Sequence, residues 1–129
     1  MADANRKRKV LVVDDEADVR TFLTTLLEDH GYETATAGTG AEAVRSVRAA
    51  RPDLVTLDIT MPEQSGVKAY RELKTDPALK DLPVVIVTGV SDDFKNFIST
   101  RGQVPPPDGF VSKPIDKTVL LELVRKLAG

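Results

Sequence analysis

Leu54-Val55-Thr56-Leu57-Asp58-Ile59-Thr60-Met61-Pro62 reads as a short apolar strand that ends in a carboxylate. Leu, Val and Thr side chains suit a buried, pleated strand. An ionised Asp58 has no place inside such a strand without a partner. It therefore falls where the strand stops and a loop opens, with Pro62 punctuating that loop. Open α/β sheets collect their ligands beyond the carboxyl ends of the strands, so Asp58 is the residue from which the rest of the chain is read.

Outward from it the same pattern recurs. Lys9-Val10-Leu11-Val12-Val13 runs into Asp14-Asp15-Glu16, Val84-Val85-Ile86-Val87 into Thr88-Gly89, and Gly109-Phe110-Val111-Ser112 into Lys113-Pro114. Tyr32 to Ala37 is a further strand, with Thr34 and Thr36 alternating. The stretches between have helical period. Val19, Phe22, Leu23, Leu26 and Leu27 form one continuous face, stopped at Gly31. Ala41 to Ala50 carries Ala43, Val44, Val47 and Ala50, and Pro52 ends it. Gly66 opens a helix with Val67, Tyr70 and Leu73 inward, closed by Asp76-Pro77. Ser91-Asp92-Asp93 is an N-cap region before a weak helix marked only by Phe94, Phe97 and Ile98 and ended at Gly102. The last helix runs from about Asp116 to Leu127, with Leu120, Leu123, Val124 and Leu127 on one face. Strict alternation of strand and helix predicts an α/β fold, a parallel sheet covered by helices on both faces.

The 129 residues make one domain, with no internal repeat or linker. Residues 9–129 are read as that domain and residues 1–8 as a flexible basic tail. Arg6-Lys7-Arg8-Lys9 is read as solvated rather than as a nucleic-acid patch. The absence of Cys excludes disulfides, thiolate chemistry and cysteine zinc sites. A net charge of −2 leaves no electrostatic footprint for nucleic acid. No apolar run approaches a membrane span and the N-terminus has no apolar h-region, so a cytoplasmic protein is expected. His30, the only histidine, lies at the end of the first helix, where it suits the helix dipole rather than a ligand site.

Parallel strands bring Asp14, Asp15, Asp58, Thr88 and Lys113 to one edge of the sheet. One acid of Asp14-Asp15-Glu16 suffices to cap the following helix, and the others are left without a structural reason. Two carboxylates about 4 Å apart repel by roughly 4 kcal/mol at an effective dielectric near 20, so a proton or a cation must sit among them. Oxygen ligands with open positions suit Mg²⁺, or another divalent cation such as Mn²⁺. Lys113 adds a fixed positive charge and Thr88 a hydroxyl. Taken singly, each stop is an ordinary capped helix start, turn or strand end. Together and in this order they describe a site for a phosphoryl group, with Asp58 a candidate to form an aspartyl phosphate.

The sequence resembles the response-regulator receiver domain, the family of the bacterial chemotaxis response regulator. The resemblance spans about Lys9 to Leu127. It rests on Val13-Asp14-Asp15, Asp58-Ile59-Thr60-Met61-Pro62, Gly66, Thr88-Gly89 and Phe110-Val111-Ser112-Lys113-Pro114. It implies a flavodoxin-like, doubly wound, five-stranded parallel sheet in the order 2-1-3-4-5. It implies a role in two-component signalling, with Asp58 taking a phosphoryl group from the phosphohistidine of a sensor histidine kinase or a histidine phosphotransfer protein. By the same resemblance Asp15, Asp58 and the Thr60 backbone carbonyl ligate Mg²⁺, and Asp14 acts mainly through water. Thr88 and Lys113 meet the phosphoryl oxygens, Lys113–Pro114 is a cis peptide, and Thr88 and Phe110 form the switch toward a downstream partner. Val90 and Thr60 flank the site without an acid or amide that positions water, which predicts slow self-dephosphorylation.

The segment from Ser99 to Asp108, with Pro105-Pro106-Pro107, departs from the family pattern. It puts the usual dimerisation surface in doubt and points to a contact surface peculiar to this chain. Two other readings remain at this point. A phosphatase of the haloacid-dehalogenase type wants a second acid two residues after the nucleophile, where Thr60 stands, and a cap insertion. A phosphorylation-independent interaction module of the same fold would keep the architecture without the chemistry. The chain ends at its last helix, and it reads equally as a stand-alone regulator or as a piece of a longer protein.

Overall fold

The computed structural model describes residues 7–62, 65–89 and 107–128. Its elements are β1 (Lys9–Val13), α1 (Ala17–Asp29), β2 (Glu33–Ala37), α2 (Gly40–Ala49), β3 (Leu54–Asp58), α3 (Ser65–Thr75), β4 (Val84–Thr88), β5 (Gly109–Ser112) and α4 (Lys117–Ala128). The five strands form one sheet in the order β2-β1-β3-β4-β5, and every pair is parallel. This is the flavodoxin-like order, with the crossover at β1 and β3. The weak helix after Ser91, Val90 and most of the proline segment lie outside the described residues.

The continuous apolar runs of β1, β3 and β4 are explained by burial on both faces. Alternate side chains divide between two cores. Leu11, Val13, Val55, Leu57, Val84 and Ile86 pack with Val44, Val47, Tyr70 and Leu73 under α2 and α3. Val10, Val12, Leu54, Val85 and Val87 pack with Leu23, Leu27, Leu120 and Val124 under α1 and α4. Edge strand β2 is half wet, which accounts for its threonines.

Three readings need correction. Phe22 does not complete the buried face of α1: it is 38% exposed, with the Lys117 ammonium 5.8 Å from its ring centre. On α4 the buried residues are Leu120, Leu121 and Val124, while Leu123 and Leu127 pack only partly. The N-cap of α1 is Glu16, and its side chain makes no capping hydrogen bond. None of the three acids therefore caps α1 with its own carboxylate: Asp14 instead closes a tight turn, Oδ1 accepting from the Glu16 N–H at 2.9 Å. Glycine does end α1 as expected, with Gly31 at φ +89° just beyond His30, whose Nδ1 lies 2.9 Å from the Leu26 carbonyl oxygen.

One buried charge was not foreseen. Lys74 on α3 is 6% exposed and reaches Leu82 O at 2.9 Å, Lys80 O at 3.3 Å and Asp108 Oδ2 at 3.0 Å. Asp108 Oδ2 also accepts from the Val84 N–H at 2.8 Å, and the Asp108 N–H donates to Val84 O at 3.0 Å. Full pairing is the condition on which an ammonium is tolerated inside. The cluster ties the start of β5 to the start of β4, and so sets where β5 delivers Lys113.

Candidate functional site

The register of the sheet builds the site. Val13 pairs with Leu57, Asp58 with Val87, and Thr88 with Ser112, so Asp14, Asp58, Thr88 and Lys113 all arrive at the carboxyl edge. Asp14, Asp58 and Thr88 are each 1% exposed. Lys113 is drawn in by its own backbone, whose N–H donates to Thr88 O at 2.8 Å. The Lys113–Pro114 peptide is cis.

Two carboxylates buried this deeply need compensation, and one ammonium supplies it. Lys113 Nζ lies 3.0 Å from Asp14 Oδ2, 3.5 Å from Asp58 Oδ2 and 3.9 Å from Glu16 Oε1. The other oxygen of Asp58 is engaged from below: Oδ1 accepts from the Thr60 N–H at 2.8 Å and from the Thr60 hydroxyl at 2.5 Å. Asp14 is fixed on several sides. Its N–H donates to Ala37 O at 3.1 Å, and its carbonyl accepts from the Arg20 guanidinium at 2.7 Å. Burial pushes the Asp14 carboxyl above its usual range; the Glu16 N–H and Lys113 oppose this and the charge of Asp58 adds to it. Burial works against the charge of Lys113, but the hydrogen bond to Asp14 and the charges of Asp58, Asp14 and Glu16 outweigh it. Its proton is held above the ordinary lysine range.

The donor set fits a hard divalent cation. Asp14, Asp15 and Glu16 each bring one carboxylate oxygen within 4.8 Å of the others, and all the candidate ligands are oxygens. Asp15 and Glu16 are exposed, so one side of the cluster is open to solvent and to an incoming anion. Asp58 is not one of this trio and is linked to it through Lys113, 3.5 Å from its Oδ2. Gly66 explains how tightly α3 seats behind it: a Cβ there would fall onto the Asp58 carbonyl oxygen and 2.8 Å from Ile59 Cα. Phe110 is half-buried on β5 beside Ile86 and packs against the core under α2 and α3. Glu16 and Arg20 are participants that the sequence reading passed over. The i, i+4 spacing of Glu16 and Arg20 across the start of α1 was the available signal.

A doubly wound parallel sheet with clustered acids, a hydroxyl and a lysine at its carboxyl edge defines a class: flavodoxin-like domains with a polar site at the strand ends. The family model for the response regulator receiver domain matches residues 10–125, and the chain belongs to that family. It is a receiver domain of two-component signalling. It is 36% identical to the protein Rrf1 of Nitratidesulfovibrio vulgaris over 90% of this chain and 79% of that one. It is 34% identical to the DNA-binding response regulator MtrA of Mycobacterium tuberculosis over 92% of this chain and 50% of the relative. It is 35% identical to the autoinducer sensor kinase/phosphatase CqsS of Vibrio cholerae over 94% of this chain, which spans only 17% of that protein. Among solved structures, the receiver domain of a signal transduction histidine kinase from Syntrophus aciditrophicus superposes with a TM-score of 0.82 at 34% identity, covering 94% of this chain and 89% of that one. The chemotaxis protein CheY4 of Vibrio cholerae gives 0.80 at 28%, covering 95% and 99%. Receiver domains bind Mg²⁺ at an acidic pocket and meet histidine kinases and downstream effectors. Among the described residues, no helix is long and apolar enough to cross a membrane.

Proposed function

We propose that Asp58 is the phosphoacceptor of this receiver domain, taking its phosphoryl group from a phosphohistidine on a sensor histidine kinase or a histidine phosphotransfer protein. An Asp58 carboxylate oxygen attacks phosphorus, the P–O bond forms as the P–N bond breaks, and the departing imidazole takes up a proton. Asp14, Asp15 and Asp58, with the Thr60 carbonyl, would hold Mg²⁺. When bound, the ion neutralises charge on the phosphoryl oxygens and the clustered acids. Lys113 pairs with the new anion, and Thr88 supplies a hydroxyl for it. The observation that carries this reading is the Lys113 ammonium, 3.0 Å from Asp14 and 3.5 Å from Asp58. It joins residues distant in sequence at the carboxyl edge of the sheet.

The transfer adds roughly −1.5 to −2 charges at Asp58. Thr88 and Phe110 then carry the change outward to a partner surface, Thr88 by following the new oxygens and Phe110 by turning into the space released. Self-dephosphorylation is slow, because Thr60 brings a hydroxyl already committed to Asp58 rather than an acid or amide. Intact mass after treatment with acetyl phosphate and Mg²⁺ tests the assignment. The wild type is expected to gain one phosphoryl group, and Asp58→Asn none. An unchanged wild-type mass favours the phosphorylation-independent module, and a phosphorylated Asp58→Asn moves the nucleophile elsewhere.

A further inference from the structure

A second feature shares no lining residue with the acid pocket. Between α2 and α3 lies a cleft of about 380 Å³. Gly40, Val44 and Ala69 form its apolar floor, and Arg45, Arg48 and Lys68 stand along its two sides. The floor is preformed: a Cβ on Gly40 would fall onto the Ser65 carbonyl oxygen and 3.2 Å from Ala69 Cβ, so the two helices touch there as closely as backbones allow. We propose that this cleft is a docking surface for an acidic segment of a partner protein, one that places an apolar side chain on the floor and carboxylates against the two walls.

Charge decides the occupant. The chain as a whole is slightly acidic, at −2, yet this cleft is cationic. Among the described residues its one lining acid is Glu72, already engaged with Arg48 at 3.4 Å, and Arg48 also reaches Asp76 at 3.5 Å. Glu42 on α2 is turned to the helix start, where its Oε1 accepts from the Gly38 N–H at 3.1 Å. Arg45 and Lys68 are exposed, face the cleft from opposite helices, and have no acidic partner among the described residues. Arg51 and Arg71 extend the positive character along the same layer, and both are exposed. An apolar floor between cationic walls is complementary to an apolar anchor flanked by Asp or Glu. A bare small anion would leave the floor uncovered.

Nuclear magnetic resonance of the ¹⁵N-labelled chain tests this, titrated with a synthetic amphipathic Glu/Leu peptide and with its Lys/Leu counterpart. The acidic peptide is expected to give saturable shifts at Val44, Arg45, Lys68 and Ala69. Its affinity is expected to fall about tenfold when salt rises to about 0.3 M. Arg45→Glu combined with Lys68→Glu is expected to abolish those shifts while the rest of the spectrum, and phosphorylation by acetyl phosphate, stay unchanged. Silence in the cleft, equal shifts with the basic peptide, or unaltered binding by the double variant overturns the proposal. So do cleft shifts produced by free glutamate alone, or by concentrating the protein without peptide, since these name a small anion or a second copy as the occupant.

Discussion

Asp14 shows how a single residue can be set against the fold that contains it. The carboxylate is buried beside a second one, and Lys113 stands between them as the ammonium they share. Its raised pKa means that the folded state binds its proton more tightly than the unfolded chain does. Stability from this group is fully present below the ordinary value of 3.8 and is lost as pH rises through the folded value. At neutral pH without metal the charged Asp14 therefore costs stability. Asn keeps the shape, and its one amide oxygen can still accept from the Glu16 N–H, but its NH2 takes the place of the oxygen that met Lys113. Burial is the largest influence on Asp14, so Asp14→Asn is expected to stabilise the metal-free protein at pH 7, by no more than about 1 kcal/mol once the lost bond to Lys113 is counted. Urea melts with a chelator present check this, and the gain should shrink toward zero as pH approaches 3.8. A variant less stable than wild type at pH 7 would mean that the pairing with Lys113 outweighs desolvation.

At the scale of elements, glycines decide how closely the helices approach the site. Gly66 seats α3 on the backbone of Asp58, and neither the Asp58 carbonyl nor Ile59 Cα has a side chain's freedom to move aside. Gly66→Ala is expected to destabilise the fold by about 3 kcal/mol, with β3 or α3 displaced. Gly38 gives the contrast: its nearest neighbour is the flexible Arg20 guanidinium, 3.5 Å from an added Cβ. Gly38→Ala is expected to stay within about 0.5 kcal/mol of wild type. Chemical denaturation of the two variants side by side makes the comparison, and equal losses would contradict it. Both residues look alike as sequence signals, and only the approach of another backbone separates them. The same holds for Lys74. Its place beside Leu73 on α3 marks it as neither core nor surface, and its burial became intelligible only when Leu82, Lys80 and Asp108 came together around it.

For the whole molecule, ion binding and folding are linked. A cation held only by the folded state adds about 2.7 kcal/mol when its concentration reaches about a hundred times its dissociation constant. Mg²⁺ is therefore expected to raise the melting temperature of the wild type in a saturable way. Asp15 is exposed and makes no hydrogen bond or ion pair among the described residues, so Asp15→Ala is expected to leave metal-free melting unchanged and to remove the Mg²⁺ increment. Calorimetric scans across a Mg²⁺ series check both halves. An undiminished increment in Asp15→Ala would place the ion on other oxygens.

What the chain wrote locally was its alternation of apolar runs and amphipathic segments, and the polar residues at which each run stops. Burial on two faces demands continuous apolar strands, and charge cannot continue into such a strand, so Asp14, Asp58, Thr88 and Lys113 were legible as strand ends from residue types alone. Phe22 escaped that logic because helical period marks a face, and only the packing of α4 and the Lys113–Pro114 turn determines how far the cover extends. Tertiary structure alone decided which acid Lys113 approaches more closely, that Thr60 holds Asp58 from below, and that α2 and α3 leave a cationic cleft between them. Those are distances between residues far apart in the chain. They are fixed by register and by helix approach, which no single stretch of sequence encodes.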